Sequence, residues 1–311
     1  MNGNKPLVLL YHQICDQEST LLKNFNISIS PKLFNEHMKI LKEYFKPITF
    51  TEWNYSVKNN IDIKDRIIVT FDDGYREAIN YGTEILSNFD LDALWFINSG
   101  FINNNKVFWL SKLMYLLDIN ALDELIKKFL NNYPFLLSPI DLKKLNIFEI
   151  DLWAKDNYNE TLLKEIDIYL NKIKWNEEYE AAKHNLYANK SILNKISEYF
   201  TLGNHTLSHP NFRNLSIEKK IDELEDSRLV LEKITNKNLS CFAFPFGEEH
   251  LHWCQNDIKI LNNLNYENIF TVSNKNPRLN NKVINRYEIK SMEPEAFKKY
   301  ITQLCKTNIE I

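Results

Sequence analysis

Seven short apolar runs punctuate the chain: Pro6–His12, Arg66–Asp73, Ala93–Asn98, Tyr199–His205, Cys241–Gly247, Ile269–Ser273 and Val283–Ile289. Most are bounded by polar or turn residues, and most lack the alternation of a half-solvated strand. Strands buried on both faces, as in a parallel sheet, read this way. Helical periodicity fills the intervals. Ser30-Pro31 offers an N-cap with proline at the first helical position, and Phe34, Met38 and Leu41 then recur at helical spacing. Thr51 is the expected cap of a second, short helix, and residues 75–88 carry a third through Ala78, Ile79 and Ile85. Ser216 is placed to cap a long helix whose stripe runs Ile217, Ile221, Leu224, Leu231, Ile234. Two more helices are expected over about 257–264 and 294–305.

Strand–helix alternation of this kind predicts an α/β fold built on a parallel sheet. Seven strands fit a distorted (β/α)7-type barrel, one short of the eight-stranded form. Residues 103–195 break the rhythm and read as helices only: Leu113–Leu117, Leu122–Tyr133, Leu142–Leu145, Leu162–Ile173 and Tyr179–His184. The expected organisation is therefore a barrel from residues 1–102 and 196–311 with a helical insertion, 103–195, inside it. That insertion is either a packing appendage or a wall beside the active site.

Composition narrows the class. With 311 residues, a net charge of -3, 44% hydrophobic and 25% charged residues, the chain suits one large soluble domain or two small ones and shows no electrostatic footprint for nucleic acid. Cys15, Cys241, Cys254 and Cys305 form no CxxC pair and read as reduced thiols. The first residues lead directly into Leu7-Val8-Leu9-Leu10, too short for a signal-peptide core or a transmembrane segment. The expected location is cytoplasmic.

Three strand ends carry candidate chemistry. Ile67-Ile68-Val69-Thr70-Phe71 runs into Asp72-Asp73-Gly74-Tyr75, two adjacent carboxylates at what is the C-terminal edge of a parallel strand. Barrel enzymes keep their chemistry on that edge, although Asp-Gly turns also end strands without function. Gly203-Asn204-His205-Thr206-Leu207-Ser208-His209 places two histidines four apart, a spacing that puts both on one face of a helical turn. Phe242-Ala243-Phe244-Pro245-Phe246-Gly247 ends a third strand. One carboxylate with two imidazoles makes a three-ligand site with a position open for water, and the second carboxylate supplies a base.

Thr70-Phe71-Asp72-Asp73-Gly74 followed by His205-Thr206-Leu207-Ser208-His209 resembles the polysaccharide deacetylase (NodB-homology) family of carbohydrate esterases. Leu10-Tyr11-His12-Gln13-Ile14 and Phe242–Gly247 are similar to further segments of it. The resemblance covers roughly residues 6–102 and 196–290, without the insertion. It implies that Asp73, His205 and His209 hold one divalent metal ion, zinc or alternatively cobalt, nickel or manganese. It implies Asp72 as general base and the backbone N–H of Tyr75 as oxyanion donor. The sequence departs from the family's pattern twice. The arginine of its third motif is replaced by Cys241-Phe242-Ala243, and Arg286 is the candidate to partner the base instead. The late Leu-x-His segment that carries its acid is missing, which leaves His12 as the candidate acid, with His250 and His252 as alternatives. His37 and His184 lie in helical segments and read as surface or packing residues.

The function so implied is hydrolysis of an N-acyl group, acetyl first, from an amino sugar that is nucleotide-linked, lipid-linked or part of a glycan in cell-surface glycan biosynthesis. Removal of a formyl group, cleavage of an O-acyl ester, and a non-catalytic glycan-binding protein on a retired barrel are the competing readings.

Overall fold

The computed structural model describes residues 6–136, 141, 144–272 and 283–310, with the side chains of 308–310 left aside. All seven expected strands form: β1 (Leu7–Tyr11), β2 (Arg66–Phe71), β3 (Ala93–Ile97), β4 (Thr201–Asn204), β5 (Cys241–Ala243), β6 (Asn268–Val272) and β7 (Val283–Glu288). Ser273, the expected end of β6, lies outside the described residues. Every neighbouring pair is parallel, and β1 hydrogen-bonds to both β2 and β7, which closes a seven-stranded barrel. Three two-residue strands are too short to show a period in sequence. Lys46–Pro47 pairs with the start of β2, and Gln13–Ile14 pairs with Ser28–Ile29.

Alternation along the strands stacks the barrel interior in layers. Val8, Ile68, Leu94, Phe96, Cys241, Ala243, Phe270 and Ile284 form one buried cluster, joined by Phe50 and Trp53 of helix α2 (Phe50–Lys58). Two residues further along the same faces stand Leu10, Thr70 and Arg286. The next step reaches His12, Asp72 and Glu288. The inside of the barrel thus changes from apolar at one end to ionisable at the other, where the strands' C-termini lie. The opposite strand faces (Leu7, Leu9, Tyr11, Ile67, Val69, Phe71) pack in a second cluster with helices α1 (Pro31–Tyr44) and α3 (Arg76–Asn88).

Ser30 caps α1 and Ser216 caps α10 (Ile217–Thr235) as expected, each accepting from a backbone N–H three residues on. The cap of α2 is Thr49, not Thr51. Thr49 and Glu52 form a reciprocal capping box, which satisfies two backbone donors at once. Helix α11 (Gln255–Asn263) and helix α12 (Pro294–Glu310) complete the barrel side.

Between β3 and β4 lie α4 (Trp109–Asp118), α5 (Leu122–Asn132), α6 (Ile147–Asp156), α7 (Glu160–Lys172), α8 (Glu177–His184) and α9 (Lys190–Ile196). The expected helix at Leu142–Leu145 falls partly outside the described residues. Helices α6 and α9 carried no clear stripe in sequence. No helix among the described residues is long and apolar enough to cross a membrane.

Candidate metal centre

Asp72 and Asp73 leave β2 in different directions because the backbone turns between them. The Asp72 N–H still extends the ladder to the Tyr11 carbonyl (3.1 Å). Asp73 and Gly74 then both adopt left-handed conformations, with φ of 71° and 75°. A Cβ added at Gly74 would stand 3.1 Å from the Ile97 side chain, so both torsion and space favour glycine there. The segment 186–188, just before α9, pins the turn. Arg76 N–H donates to Leu186 O (2.7 Å) and Ala188 N–H to Gly74 O (3.0 Å), flanking Tyr75 opposite Tyr187. The Tyr75 N–H takes no part in that pairing.

The two histidines do not share a helical turn. Thr206 and His209 have φ of 71° and 56°, and the segment is an irregular loop. Its backbone donors are satisfied by side chains: Asn204 accepts from Thr206 N–H, Thr206 from His209 N–H, and the Glu223 carboxylate from Leu207 and Ser208 N–H. That stapling holds two non-glycine residues in a conformation they otherwise avoid.

The result is a cluster. His205 Nε2 lies 3.6 Å and His209 Nε2 3.4 Å from Asp73 Oδ1. The three ligand atoms lie within 4.8 Å of one another. An ion bound tetrahedrally at about 2.0–2.1 Å requires ligand separations of about 3.3–3.4 Å, so the donor set and its spacing fit a divalent metal such as zinc. His205 Nδ1 bonds the Ala243 carbonyl at 2.8 Å, which turns Nε2 toward the carboxylates. Burial, with His205 and Lys155 nearby, pushes His209 well below the usual histidine range and keeps it neutral, the form a ligand needs. Burial pushes the Asp73 carboxyl up.

Arg286, inside the barrel on β7, reaches Asp72 through two parallel bonds of 2.6 and 2.7 Å. Burial alone would push the Asp72 carboxyl up. The Arg286 guanidinium and His205 outweigh it and hold Asp72 below the usual carboxylate range. Asp72 Oδ2 is 3.6 Å from His205 Nε2, so the clamped carboxylate and the ligand cluster share one floor.

That floor belongs to a cavity of about 240 Å³. His12 lines it, with Nδ1 3.9 Å from Glu288. The other candidate acids do not line it. His250 is largely exposed beside Glu249, and His252 is buried, with Nδ1 accepting from Glu248 N–H. His37 is a packing residue between Tyr11 and Phe297, and His184 accompanies Ser19. The helices between β3 and β4 contribute wall residues, Phe108 and Leu110 near α4 and Phe148, Asp151 and Lys155 on α6. Sequence reading assigned none of these. A single exposed aromatic or charge on a helix carries no signal until the fold places it at a cavity.

Residues 154–269 match the polysaccharide deacetylase family. The match includes both histidines and the Pro245-Phe246-Gly247 segment and begins inside the 103–195 stretch. It does not reach Asp72, Asp73 or Arg286. No curated protein matches the chain. Among solved structures, the deacetylase PplD of Streptococcus pyogenes, in complex with acetate, aligns with a TM-score of 0.59 at 18% identity over 94% of this chain and 96% of that one. IcaB from Ammonifex degensii aligns at 0.58 and 14%, covering 98% and 97%. A de-N-acetylase from Aggregatibacter actinomycetemcomitans aligns at 0.55 and 14%, covering 93% and 95%. At these identities the likeness is one of fold.

Proposed function

We propose that this polysaccharide deacetylase family chain is a metal-dependent hydrolase that removes an N-acyl group, acetyl first, from an amino sugar. One observation carries the reading. A base-ready carboxylate, Asp72, clamped by a buried arginine, stands beside a three-residue metal-ligand cluster at the floor of one cavity. The solved structures of similar fold named as deacetylases lend it support.

Asp73, His205 and His209 would hold the ion. A divalent metal there supplies Lewis acidity, which lowers the pKa of a water and polarises the acyl carbonyl. Asp72, ionised by its pairing with Arg286, takes the proton of the attacking water at a carboxylate oxygen. Arg286 has both terminal nitrogens committed to Asp72, so it acts by orienting that carboxylate. The Tyr75 N–H donates toward the oxygen on which negative charge develops. Departure of an amine needs a proton, and His12, on the cavity wall beside Glu288, is the chain's candidate donor. Phe244 and Phe246 give that floor an apolar lining beside the ligands.

The test incubates metal-loaded protein with N-acetyl and N-formyl amino sugars, free, nucleotide-linked and oligomeric, and scores acyl loss by mass spectrometry. Loss with wild type and none with Asp72→Asn supports the reading. A protein that binds its metal and a glycan yet releases no acyl group from any of them overturns it in favour of a glycan-binding protein. Retention of amide turnover in His12→Ala would remove His12 from the acid role.

A further inference from the structure

Resting on the reading of Asp73, His205 and His209 as metal ligands, we infer that Phe108 and Trp109, at the start of the helical insertion, are positioning residues for His209, so that a segment contributing no ligand sets the protein's metal affinity. The spare ring nitrogens of the two histidines are treated differently. His205 Nδ1 bonds the Ala243 carbonyl at 2.8 Å. His209 Nδ1 is buried and has no hydrogen-bond partner among the described residues. A ligating imidazole is usually aimed by such a bond. Without one, His209 depends on its backbone and on the rings around it.

The insertion supplies part of both. His209 has a left-handed backbone, held from two sides. Its N–H donates to the Thr206 hydroxyl at 3.1 Å, and its carbonyl accepts from Trp109 Nε1 at 3.0 Å. A strained conformation of this kind persists only where its surroundings over-determine it. The His209 ring stands nearly perpendicular to those of Phe108 and Phe246, with centroids 4.9 and 4.6 Å away. Burial alone does not dictate the indole bond. Trp95 is buried more deeply than Trp109, yet its indole N–H has no partner among the described residues.

Phe108 and Trp109 are themselves anchored. The Val107 N–H donates to Glu177 Oε1 at 2.8 Å. That oxygen also pairs with the Lys112 ammonium at 2.9 Å, and Lys112, which is buried, reaches Asp167 at 2.8 Å. Helix α4 is thereby tied to α7 and α8. Asn104 joins the two ends of the insertion, accepting from the Tyr187 N–H at 2.7 Å and donating to its carbonyl at 2.8 Å. One end therefore holds His209 while the other, through residues 186–188, pins the turn after Asp73.

The experiment loads the full chain with cobalt. It measures metal affinity by competitive chelation and records the visible d–d bands, which report ligand geometry. Trp109→Phe keeps an aromatic ring and deletes the N–H. Trp175→Phe is the control, a buried indole elsewhere in the insertion that packs on Tyr115. Trp109→Phe should weaken cobalt binding about tenfold or more and shift the bands at saturation. Trp175→Phe should leave both unchanged, whatever stability it loses. Phe108→Leu removes the ring beside His209 and keeps the indole bond. It should weaken binding in the same direction, and it carries the test if Trp109→Phe does not fold. Wild-type affinity and bands in Trp109→Phe, or in Phe108→Leu where it stands alone, overturn the inference. So does an equal loss in Trp175→Phe. A wild type that binds neither cobalt nor zinc overturns it together with the metal-dependent reading. Binding that follows these variants, with no acyl loss from any substrate in wild type, overturns the hydrolase reading and leaves the positioning role standing.

Discussion

Arg286→Met isolates the barrel's central ion pair. Arg286 is fully buried, both terminal nitrogens bond Asp72, and its guanidinium carbon lies 5.1 Å from the Phe96 ring centroid. Methionine keeps the stem's contacts and removes the charge. The carboxylate left behind is 4% exposed and loses both of its strong donors. Removing one partner of such a pair typically costs about 3–5 kcal/mol, because the other charge stays buried and uncompensated. In a chain of this size that is a fall in melting temperature of roughly 5–15 °C. Asp72→Asn alone should be destabilised for the mirror-image reason. The double variant, with a neutral amide facing an apolar side chain, should recover about half or more of the loss, a coupling of about 2 kcal/mol. The assay is urea denaturation of all four proteins at neutral pH, with acyl release in parallel. Activity should vanish in every variant, including the stable double. Arg286→Met melting within about 2 °C of wild type, or additive single losses, would refute the claim that the pair holds its two members against burial.

Stability should fall on acidification because His37 is buried neutral. Its Nε2 faces the Met292 carbonyl, its Nδ1 faces the Tyr11 hydroxyl, and burial lowers it from 6.5 to about 4. The unfolded chain binds the proton first, so the contribution is present above pH 6.5 and is lost as pH falls toward 4. It amounts to roughly 3 kcal/mol at most, and denaturation midpoints of wild type and His37→Gln should converge across that window. A chelator should lower the melting temperature and added zinc restore it, by about 2.7 kcal/mol of stabilisation at a hundredfold excess over Kd. Asp73→Ala should abolish that response, whereas His250→Ala should keep it. Gly74→Ala should weaken metal binding about tenfold or more, read by competitive chelation, since it strains the turn that aims Asp73. Unchanged affinity would show that the turn relaxes freely.

The seven barrel strands were legible because a strand buried on both faces is apolar throughout, as in Leu7–Tyr11 and Ala93–Ile97, and the helical stretches between them arbitrate what so short a run leaves ambiguous. The clustered residues Asp73, His205 and His209 stood out in sequence as strand-end motifs. The backbone that aims them was not. The helical turn expected for His205 and His209 is absent because Asn204, Thr206 and Glu223 together stabilise a left-handed loop. The partner of Asp72 could not be decided in sequence, since Arg286 stands 214 positions away and only barrel closure brings them face to face. Thr49 was missed as a cap although Thr49-x-x-Glu52 carries the box signature. Helix α6 escaped because Ile147, Phe148, Ile150, Leu152, Trp153 and Ala154 surround it with apolar residues, leaving no stripe to follow.

Strand β1 lies between β2, which leads into Asp72, and β7, which carries that carboxylate's partner Arg286. The keystone of the ring is therefore the earliest strand made, flanked by one early and one late neighbour. During synthesis the ribosome releases Asp72 214 positions before Arg286, so the nascent carboxylate waits for its counter-charge. The Asp72–Arg286 pair can form only once β7 has closed the ring. Contacts between residues so distant in sequence are slow to form, and a shortened product lacking β7 would keep Asp73, His205 and His209 but leave Asp72 without Arg286.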